Sequence, residues 1–494
     1  MLTGLRAAWP GPRPAALAAA AGAVAALGQE PLGWWPAALV GFAALIRLVL
    51  RAPRGAGWLM LLGGVGHFAV ALNWIVEPFM VEPETYAWMA PFAVLGLAFG
   101  LALFWAAAGM LARRLVPGAL GLVAALTLAE MLRGHVLTGF PWALPGHVWF
   151  HTPVLQGAAL LGAYGLTLLT LLAAAGLACL RWQGALGALA LVAVGWGWGL
   201  AALSQPDPVA PGVTLRLVQP NAEQRLKWDP DLAATHFDRL LRLSAPEGAL
   251  PDLVVWPETA LPYLLDRHPE IAGMIAAAAD GAPVALGLQR VAGEQAWNSL
   301  TVIAPNGAET ARYDKAHLVP FGEYIPAGEL AYRLFGLRAF ASQAGAGYTA
   351  GPGPVVLDLG PRLGTVLPLI CYEAVFPQDI RAAASRPGWL LQVTNDAWFG
   401  TLTGPFQHAA LARLRAVEFG LPLARAANTG VTAVYDARGR VVAALPFGTE
   451  GALDVALPGA LPATPYARFG EVPLLLLLAG LLGLAVLRRR HGLA

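Results

Sequence analysis

The chain is 494 residues long, 57% hydrophobic and only 13% charged, with a net charge of +2. Soluble domains carry roughly 25% charged residues, so a large share of this chain is suited to lipid rather than water. The balanced charge, with no basic stripe interleaved by aromatics, argues against nucleic acid as a partner.

Residues up to about Leu203 are rich in Ala, Leu, Gly and Trp, in stretches near the length that crosses a ~30 Å hydrocarbon core. Spans are expected near 15–28, 33–50, 57–76, 88–111, 117–132, 154–180 and 184–203. An eighth, Val472 to Leu487, is capped by Arg488, Arg489 and Arg490. Arg47 interrupts the second span and reads as a side chain snorkelling toward the headgroups.

Arg6 and Arg13 precede the first span, and Arg51 and Arg54 follow the second. Arg113 and Arg114 follow the fourth, Arg181 the sixth, and the arginine cluster the last. The connection carrying Glu77, Glu82 and Glu84 faces the other way. Because basic loops stay inside, the arginine side is cytoplasmic. Seven crossings then put the middle of the chain outside, and the eighth returns the C-terminus. The first span also fits a secretory signal with a weak cleavage site at Ala26-Leu27-Gly28, although the hydrophobic segment that follows so closely favours its retention. The sequence therefore divides into a membrane bundle at 1–205 with about seven helices, an outer domain at 211–458, and a transmembrane helix with a basic tail at 471–494.

In the outer domain, apolar runs end repeatedly at polar residues. Val213–Val218 leads to Gln219-Pro220-Asn221, Leu253–Trp256 to Pro257-Glu258, Thr365–Ile370 to Cys371, and Leu390–Val393 to Thr394-Asn395-Asp396. Val284–Leu288 and Leu300–Ile303 read as further strands, and Val431–Tyr435 with Val441–Leu445 as a hairpin around Asp436-Ala437-Arg438-Gly439. Helices are expected between them, as at Leu232–Leu243 and His408–Phe419. Alternating strands and helices predict a layered α/β fold with its chemistry at strand C-terminal ends.

The two cysteines, Cys179 and Cys371, form no CxxC pair and no disulfide framework. No HExxH or clustered His/Cys spacing suggests a metal, and the nine histidines are scattered as structural or surface residues. A free cysteine is commonly a small buried apolar residue. Against that reading, Cys371 ends an apolar strand beside the polar Tyr372 and Glu373, as an unpaired thiol in an oxidising compartment. A nucleophilic thiol needs a base and an oxyanion donor. Glu258, taken alone, is an ordinary carboxylate at a strand end, and Lys315 a solvated lysine. No GxSxG or SxxK offers a serine alternative.

The order Glu258, Lys315, Cys371 resembles the triad of the nitrilase superfamily. The surrounding words are WPE at 256–258, KAHLVPFGEYIP at 315–326 and ICYE at 370–373. With LKWD at 226–229, NDAWFG at 395–400, PLARAANTGVTA at 422–433 and LRGHVLTGFPW at 132–142, the chain is similar nearly end to end to the apolipoprotein N-acyltransferases. The resemblance implies an α-helical membrane bundle of about eight transmembrane helices. It also implies an extramembrane nitrilase-like αββα sandwich on the periplasmic side of the bacterial inner membrane. Glu258 would be the base, Lys315 the oxyanion and charge stabiliser, and Cys371 the nucleophile. Supporting roles would fall to Trp228, Glu323, Tyr372 and Glu373, for which simple packing and loop ordering is the plainer alternative. Asp314 and His317 depart from the family's lysine motif without touching a proposed catalytic group.

The activity so implied passes an acyl chain from a phospholipid, typically phosphatidylethanolamine, through a cysteine thioester. The acceptor is the α-amino group of a diacylglyceryl-cysteine on an apolipoprotein, and neither cofactor nor metal is involved. Leu330, Leu334, Phe335, Leu337 and Phe340, followed by Gly345 and Gly347, form either a short core helix or a membrane-dipping lid. Two other functions remain open. A membrane-tethered nitrilase-like amidase would use the same triad, with water resolving the acyl-enzyme. A transporter with an inert outer domain would need intramembrane charges, for which only isolated candidates such as Glu130 and Arg133 stand out.

Overall fold

The computed structural model describes residues 9–52, 54–227, 229–326 and 347–490, with side chains to 487. Arg6, Trp228, the apolar segment from Leu330 to Gly345, the side chains of Arg488–Arg490 and the last four residues lie outside the described residues. The chain separates into two compact units, Met1–Pro206 with Ala463–Ala494, and Asp207–Pro462.

In the first unit each anticipated span holds a helix: Pro12–Ala26, Trp35–Arg51, Ala56–Ala71, Ala90–Leu115, Ala119–Arg133, Ala158–Ala178, Trp182–Leu203 and Val472–Arg490. Small residues let them pack closely. A Cβ on Gly22 would lie 1.8 Å from the Gly63 carbonyl oxygen, the close backbone approach typical of helix pairs in lipid. Length and composition do not by themselves mark all eight helices as crossings. Only three described helical segments, Pro83–Leu115, Pro153–Ala178 and Trp182–Leu203, are long and apolar enough to cross a membrane by themselves. A fourth qualifies if Ala56–Ala71 and Asn73–Met80, bent by 49°, count as one span. A 15-residue helix such as Pro12–Ala26, at 1.5 Å per residue, falls short of a ~30 Å core. Glu130 and Arg133 sit one turn apart on Ala119–Arg133 as a buried ion pair. Trp105 also donates to Glu130, Arg133 donates to the Phe140 carbonyl, and the guanidinium lies 5.0 Å over the Phe68 ring.

The second unit is built from β1 (Thr214–Gln219), β2 (Leu253–Val255), β3 (Val284–Ala292), β4 (Gln295–Ile303), β5 (Glu309–Asp314) and β6 (Leu357–Asp358). It continues with β7 (Thr365–Ile370), β8 (Trp389–Thr394), β9 (Leu423–Ala427), β10 (Ala433–Tyr435), β11 (Val441–Ala444) and β12 (Gly451–Ala456). Two six-stranded sheets result, ordered β12-β1-β2-β3-β4-β5 and β11-β10-β9-β8-β7-β6. Each is centred on three parallel strands, β1-β2-β3 and β7-β8-β9, with antiparallel neighbours outside.

The period-2 alternation of strands sorts the side chains into layers. Leu215, Leu217, Leu253, Val255 and Ala285 face Val366, Ile370, Trp389, Leu391 and Val393 in one core between the sheets. The intervening residues Val218, Val254, Trp256, Val284 and Leu286 pack instead on Phe237, Leu240, Ile271 and Ile275 of the helices Pro230–Ser244 and Glu270–Ala278. Helix Gly404–Phe419 packs near β9 of the other sheet. The order is helix, sheet, sheet, helix. Because β2, β7 and β8 are parallel members of these sheets, the turns after them carry Glu258, Cys371 and Asn395 at strand C-terminal ends, where open α/β sheets place their sites.

Candidate active site

The turn after β2 is held from below. Trp256 is buried and donates to Ser244 Oγ at 2.7 Å. Thr259, just past Glu258, has φ 45°, a left-handed conformation that is strained for a β-branched residue. Gly287 of β3 makes room for it: a Cβ there would lie 2.5 Å from the Pro257 oxygen and 2.6 Å from Glu258 Cα. Lys227 secures the turn by donating to the Glu258 carbonyl at 3.2 Å and to Thr259 Oγ1 at 3.0 Å.

Glu258 is thereby presented to four groups. Oε1 accepts from Asn298 Nδ2 at 2.7 Å and from Lys315 Nζ at 3.4 Å, and Oε2 accepts from the Asn395 backbone N–H at 2.8 Å. Its backbone carbonyl takes the fourth, Lys227. Lys315, 1% exposed, follows β5, and its own N–H donates to the Asn298 carbonyl at 2.9 Å. Its ammonium also donates to Glu323 at 2.9 Å. Glu323 accepts from Asn298 Nδ2 at 3.0 Å and from the Val319 N–H at 2.8 Å. Burial alone would lower the Lys315 ammonium, but the Glu323 and Glu258 carboxylates raise it above the ordinary lysine value. The lysine is a fixed cation.

Cys371 begins the helical turn Cys371–Val375 directly after β7, with φ 53°. It is buried, at 5% exposure. Burial and the Glu258 charge push the thiol well above its ordinary value, against the pull of Lys315 and a hydrogen bond with Thr394. Glu373, within the same turn, ties it to the lysine loop. Its Oε1 accepts from Tyr313 Oη at 2.6 Å and from the N–H groups of Ala316 at 2.8 Å and His317 at 3.1 Å, while Oε2 accepts from the Ile370 N–H at 2.7 Å. Burial raises the Glu373 carboxyl above the usual range even with these donors around it. Tyr372 packs edge-on against His317 and Phe376.

A family model for the apolipoprotein N-acyltransferase N-terminal domain matches residues 21–176, and one for carbon-nitrogen hydrolases matches residues 214–466. An apolipoprotein N-acyltransferase from Caulobacter vibrioides is 41% identical over 508 residues, covering 95% of this chain and 93% of its own. The chain belongs to the apolipoprotein N-acyltransferase family. A second member, from Rhodopseudomonas palustris, is 39% identical and covers 99% of this chain and 97% of its own. Among solved structures, a nitrilase-superfamily amidase from Nesterenkonia aligns with a TM-score of 0.39 and 21% identity, covering 55% of this chain and 98% of its own.

In this member of the family, Glu258, Lys315, Glu323, Cys371 and Glu373 form one buried constellation with Tyr372 beside it, and Trp228 lies outside the described residues. Asp314, one of the two departures from the lysine motif, is occupied by Ser299 Oγ at 2.5 Å and Arg290 at 2.8 Å. The other, His317, pairs with Asp379 at 2.8 Å. Among the described residues, no three His, Cys, Asp or Glu side chains group as metal ligands.

Sequence reasoning overlooked Asn298, which bridges both glutamates. It also overlooked Lys227, although LKWD had marked its neighbourhood. Burial lowers the Lys227 ammonium to about 8, against the opposing charges of Glu258 and Cys371.

Proposed function

We propose that this chain N-acylates apolipoproteins, the last step of bacterial lipoprotein maturation, in two steps through a thioester on Cys371. The observation that carries this reading is the convergence of Glu258, Lys315 and Cys371 at three strand ends, in a chain that matches acyltransferases along nearly its whole length. The donor is a membrane phospholipid, taken here as phosphatidylethanolamine. The acceptor is the α-amino group of an S-diacylglyceryl-cysteine.

In the first step the thiol is neutral at rest, so its proton must leave as the sulfur attacks. Glu258 accepts that proton, and a C–S bond forms at the sn-1 ester carbonyl. The oxyanion that develops is stabilised by the Lys315 ammonium and the Tyr372 backbone N–H. Collapse breaks the ester C–O bond, and Glu258 returns the proton to the departing lysophospholipid. In the second step the acceptor amine attacks the thioester, Glu258 takes the amine proton, and the thiolate leaves and is reprotonated. Splitting ester aminolysis this way replaces one difficult step by two easier ones. Glu323 holds the lysine, and Glu373 holds its loop against the nucleophile turn. Trp228 is assigned to substrate contact.

The catalytic domain spans 211–458 and faces the periplasm, between a bundle of about seven helices at 1–205 and a last helix with a cytoplasmic tail at 471–494. Arginine asymmetry and the two-unit division at Pro206 and Pro462 support this layout. Incubation with acyl-labelled phosphatidylethanolamine should leave a hydroxylamine-labile acyl adduct on Cys371 that an added diacylglyceryl peptide removes as amide. Release of free fatty acid at the same rate without the peptide would make the enzyme an amidase-like hydrolase. Reporter fusions at residues 300 and 494 should read periplasmic and cytoplasmic, and the reverse pattern would overturn the orientation.

A further inference from the structure

Behind the nucleophile turn lies a second buried charge cluster with no part in the steps above. His408, from helix Gly404–Phe419, places Nε2 3.1 Å from the Cys371 carbonyl oxygen and Nδ1 2.8 Å from Asp396 Oδ1. Gln392 Nε2 donates to the same Cys371 carbonyl at 3.0 Å. Asp396 Oδ2 accepts from Arg425 Nη2 at 2.7 Å, and Thr394 Oγ1 donates to its other oxygen at 3.0 Å. The side chains of His408, Asp396 and Arg425 are all 0% exposed.

Both ring nitrogens face acceptors. Each nitrogen is nearest to an oxygen acceptor. Arg425 Nη2 lies 3.2 Å from Nδ1 and Gln392 Nε2 lies 3.3 Å from Nε2, both farther than the oxygens. An unprotonated nitrogen on either side would set its lone pair against a carboxylate or a carbonyl. Protonation of both nitrogens gives two hydrogen bonds and an imidazolium. Facing it are the Asp396 carboxylate, the Arg425 guanidinium, the Gln392 amide, the Cys371 main chain and the edge of the Phe399 ring. Burial would raise the Asp396 carboxyl, but Arg425 and His408 hold it at about 2, so a full negative charge faces the ring.

The Cys371 carbonyl and the Tyr372 N–H are the two ends of one peptide group. Hydrogen bonds to a carbonyl shift electron density toward its oxygen and strengthen donation from the N–H across the same amide, and a charged donor does so more than a neutral one. We propose that His408, held as an imidazolium by the Asp396 carboxylate that Arg425 in turn fixes in place, is a positioning residue that polarises the Cys371–Tyr372 peptide and makes its N–H the stronger oxyanion donor. Asp396 adjoins Asn395, whose N–H holds the Glu258 carboxylate, so one segment after β8 sets both the base and the nucleophile turn. The inference rests on the thioester reading and adds a role to the far side of the same peptide.

The test compares two reactions of Cys371 in the full-length enzyme in nanodiscs. Acylation by phosphatidylethanolamine passes through an oxyanion. Alkylation by iodoacetamide forms a C–S bond with loss of iodide and needs the thiolate but no oxyanion hole. His408→Gln keeps a neutral donor without the charge. It should slow single-turnover acylation by roughly 10-fold, less than the 10²–10³ for outright loss of a donor. Half-saturation by phospholipid and the alkylation rate at Cys371 should stay within about twofold. Acylation at the wild-type rate would overturn the proposal, as would a parallel fall in both reactions, which would reduce His408 to holding the turn. A wild-type enzyme that alkylates but never acylates at Cys371 would refute the thioester reading instead. Should the variant not fold, nitrogen NMR of labelled histidine in the wild type still decides. Two protonated ring nitrogens at neutral pH are expected for His408, and a single neutral tautomer would overturn the assignment.

Discussion

Both units bury ionic groups, yet they assemble them differently. In the helical unit, Glu130 and Arg133 are neighbours on one helix, and their partners are an indole, a carbonyl and an aromatic face. In the α/β unit, Glu258 follows β2, Asn298 sits within β4 and Lys315 and Glu323 lie in the loop after β5, and each of the four touches two or more of the others or the nucleophile region. A pair one turn apart forms with its own helix and satisfies itself. A cluster gathered across sheets exists only because the whole fold exists, and it holds charge where a reacting group must come.

The sharpest way to break this contrast is to remove the nucleophile. Cys371→Ser should abolish turnover and the acyl adduct while leaving thermal unfolding close to wild type, because a hydroxyl of similar size is far harder to deprotonate than a thiol. Undiminished turnover, or an adduct at another residue, would displace Cys371 from the mechanism.

Next in size are the charges around it. Glu258→Gln removes the proton acceptor, and Lys315→Met removes a cation from the oxyanion, each lowering single-turnover acylation on the order of 10²–10³. Lys315→Met also leaves Glu258 and Glu323 facing one another without a counter-charge, so it should lower stability more than Glu258→Gln does. Phospholipid binding should survive both. A defect confined to lipid affinity would make the residue a binding group instead.

The helical pair should respond in the opposite sense. Arg133→Met strands Glu130 in an apolar interior, at a cost of about 3–5 kcal/mol, while the folded fraction keeps wild-type acylation. The double change Glu130→Gln with Arg133→Met should recover part of that loss, since no uncompensated charge remains. Loss of acylation in a stable, fully folded double variant would end the distinction between the two units.

Much of this contrast was legible in the sequence because strands that end at a site are apolar and closed by polar residues. β1, β2, β7 and β8 were visible on that ground, and the last three lead to Glu258, Cys371 and Asn395. β5 was not, since Glu309–Asp314 is an edge strand with a largely polar, exposed sequence. β9 escaped as well, because Leu423–Ala427 is buried around small residues and carries the internal Arg425. Asn298 was hidden by the same physics. It sits inside β4, where Asn298 and Ser299 interrupt the apolar run and made the strand seem to begin at Leu300. His408 looked like one scattered histidine, since only the tertiary fold brings it beneath Cys371. In the helical unit hydropathy located each long helix, but it could not foresee the bend after Ala71, where Asn73 opens a 3-10 turn.

Lys227 offers the finest test, because it is a buried cation of the convergent unit that is assigned no proton transfer. Its ammonium is lowered to about 8 from the ordinary lysine value of 10.5, with burial the largest cause. Between those two values the unfolded chain binds a proton that the folded chain has released. Stability therefore rises with pH across that window, by at most about 1.4 kcal/mol per pH unit. Below about pH 8 the lysine is charged in both states and the slope vanishes. Lys227→Met removes this titration but keeps a side chain of similar length against the Glu258 turn. Thermal unfolding of both proteins in the same detergent, from about pH 7 to about pH 10.5, cancels the titrating groups that do not interact with Lys227. The wild type should gain on the variant only above about pH 8. A constant difference across the whole range would mean that Lys227 titrates like a solvated lysine, and that the turn carrying Glu258 is open to water.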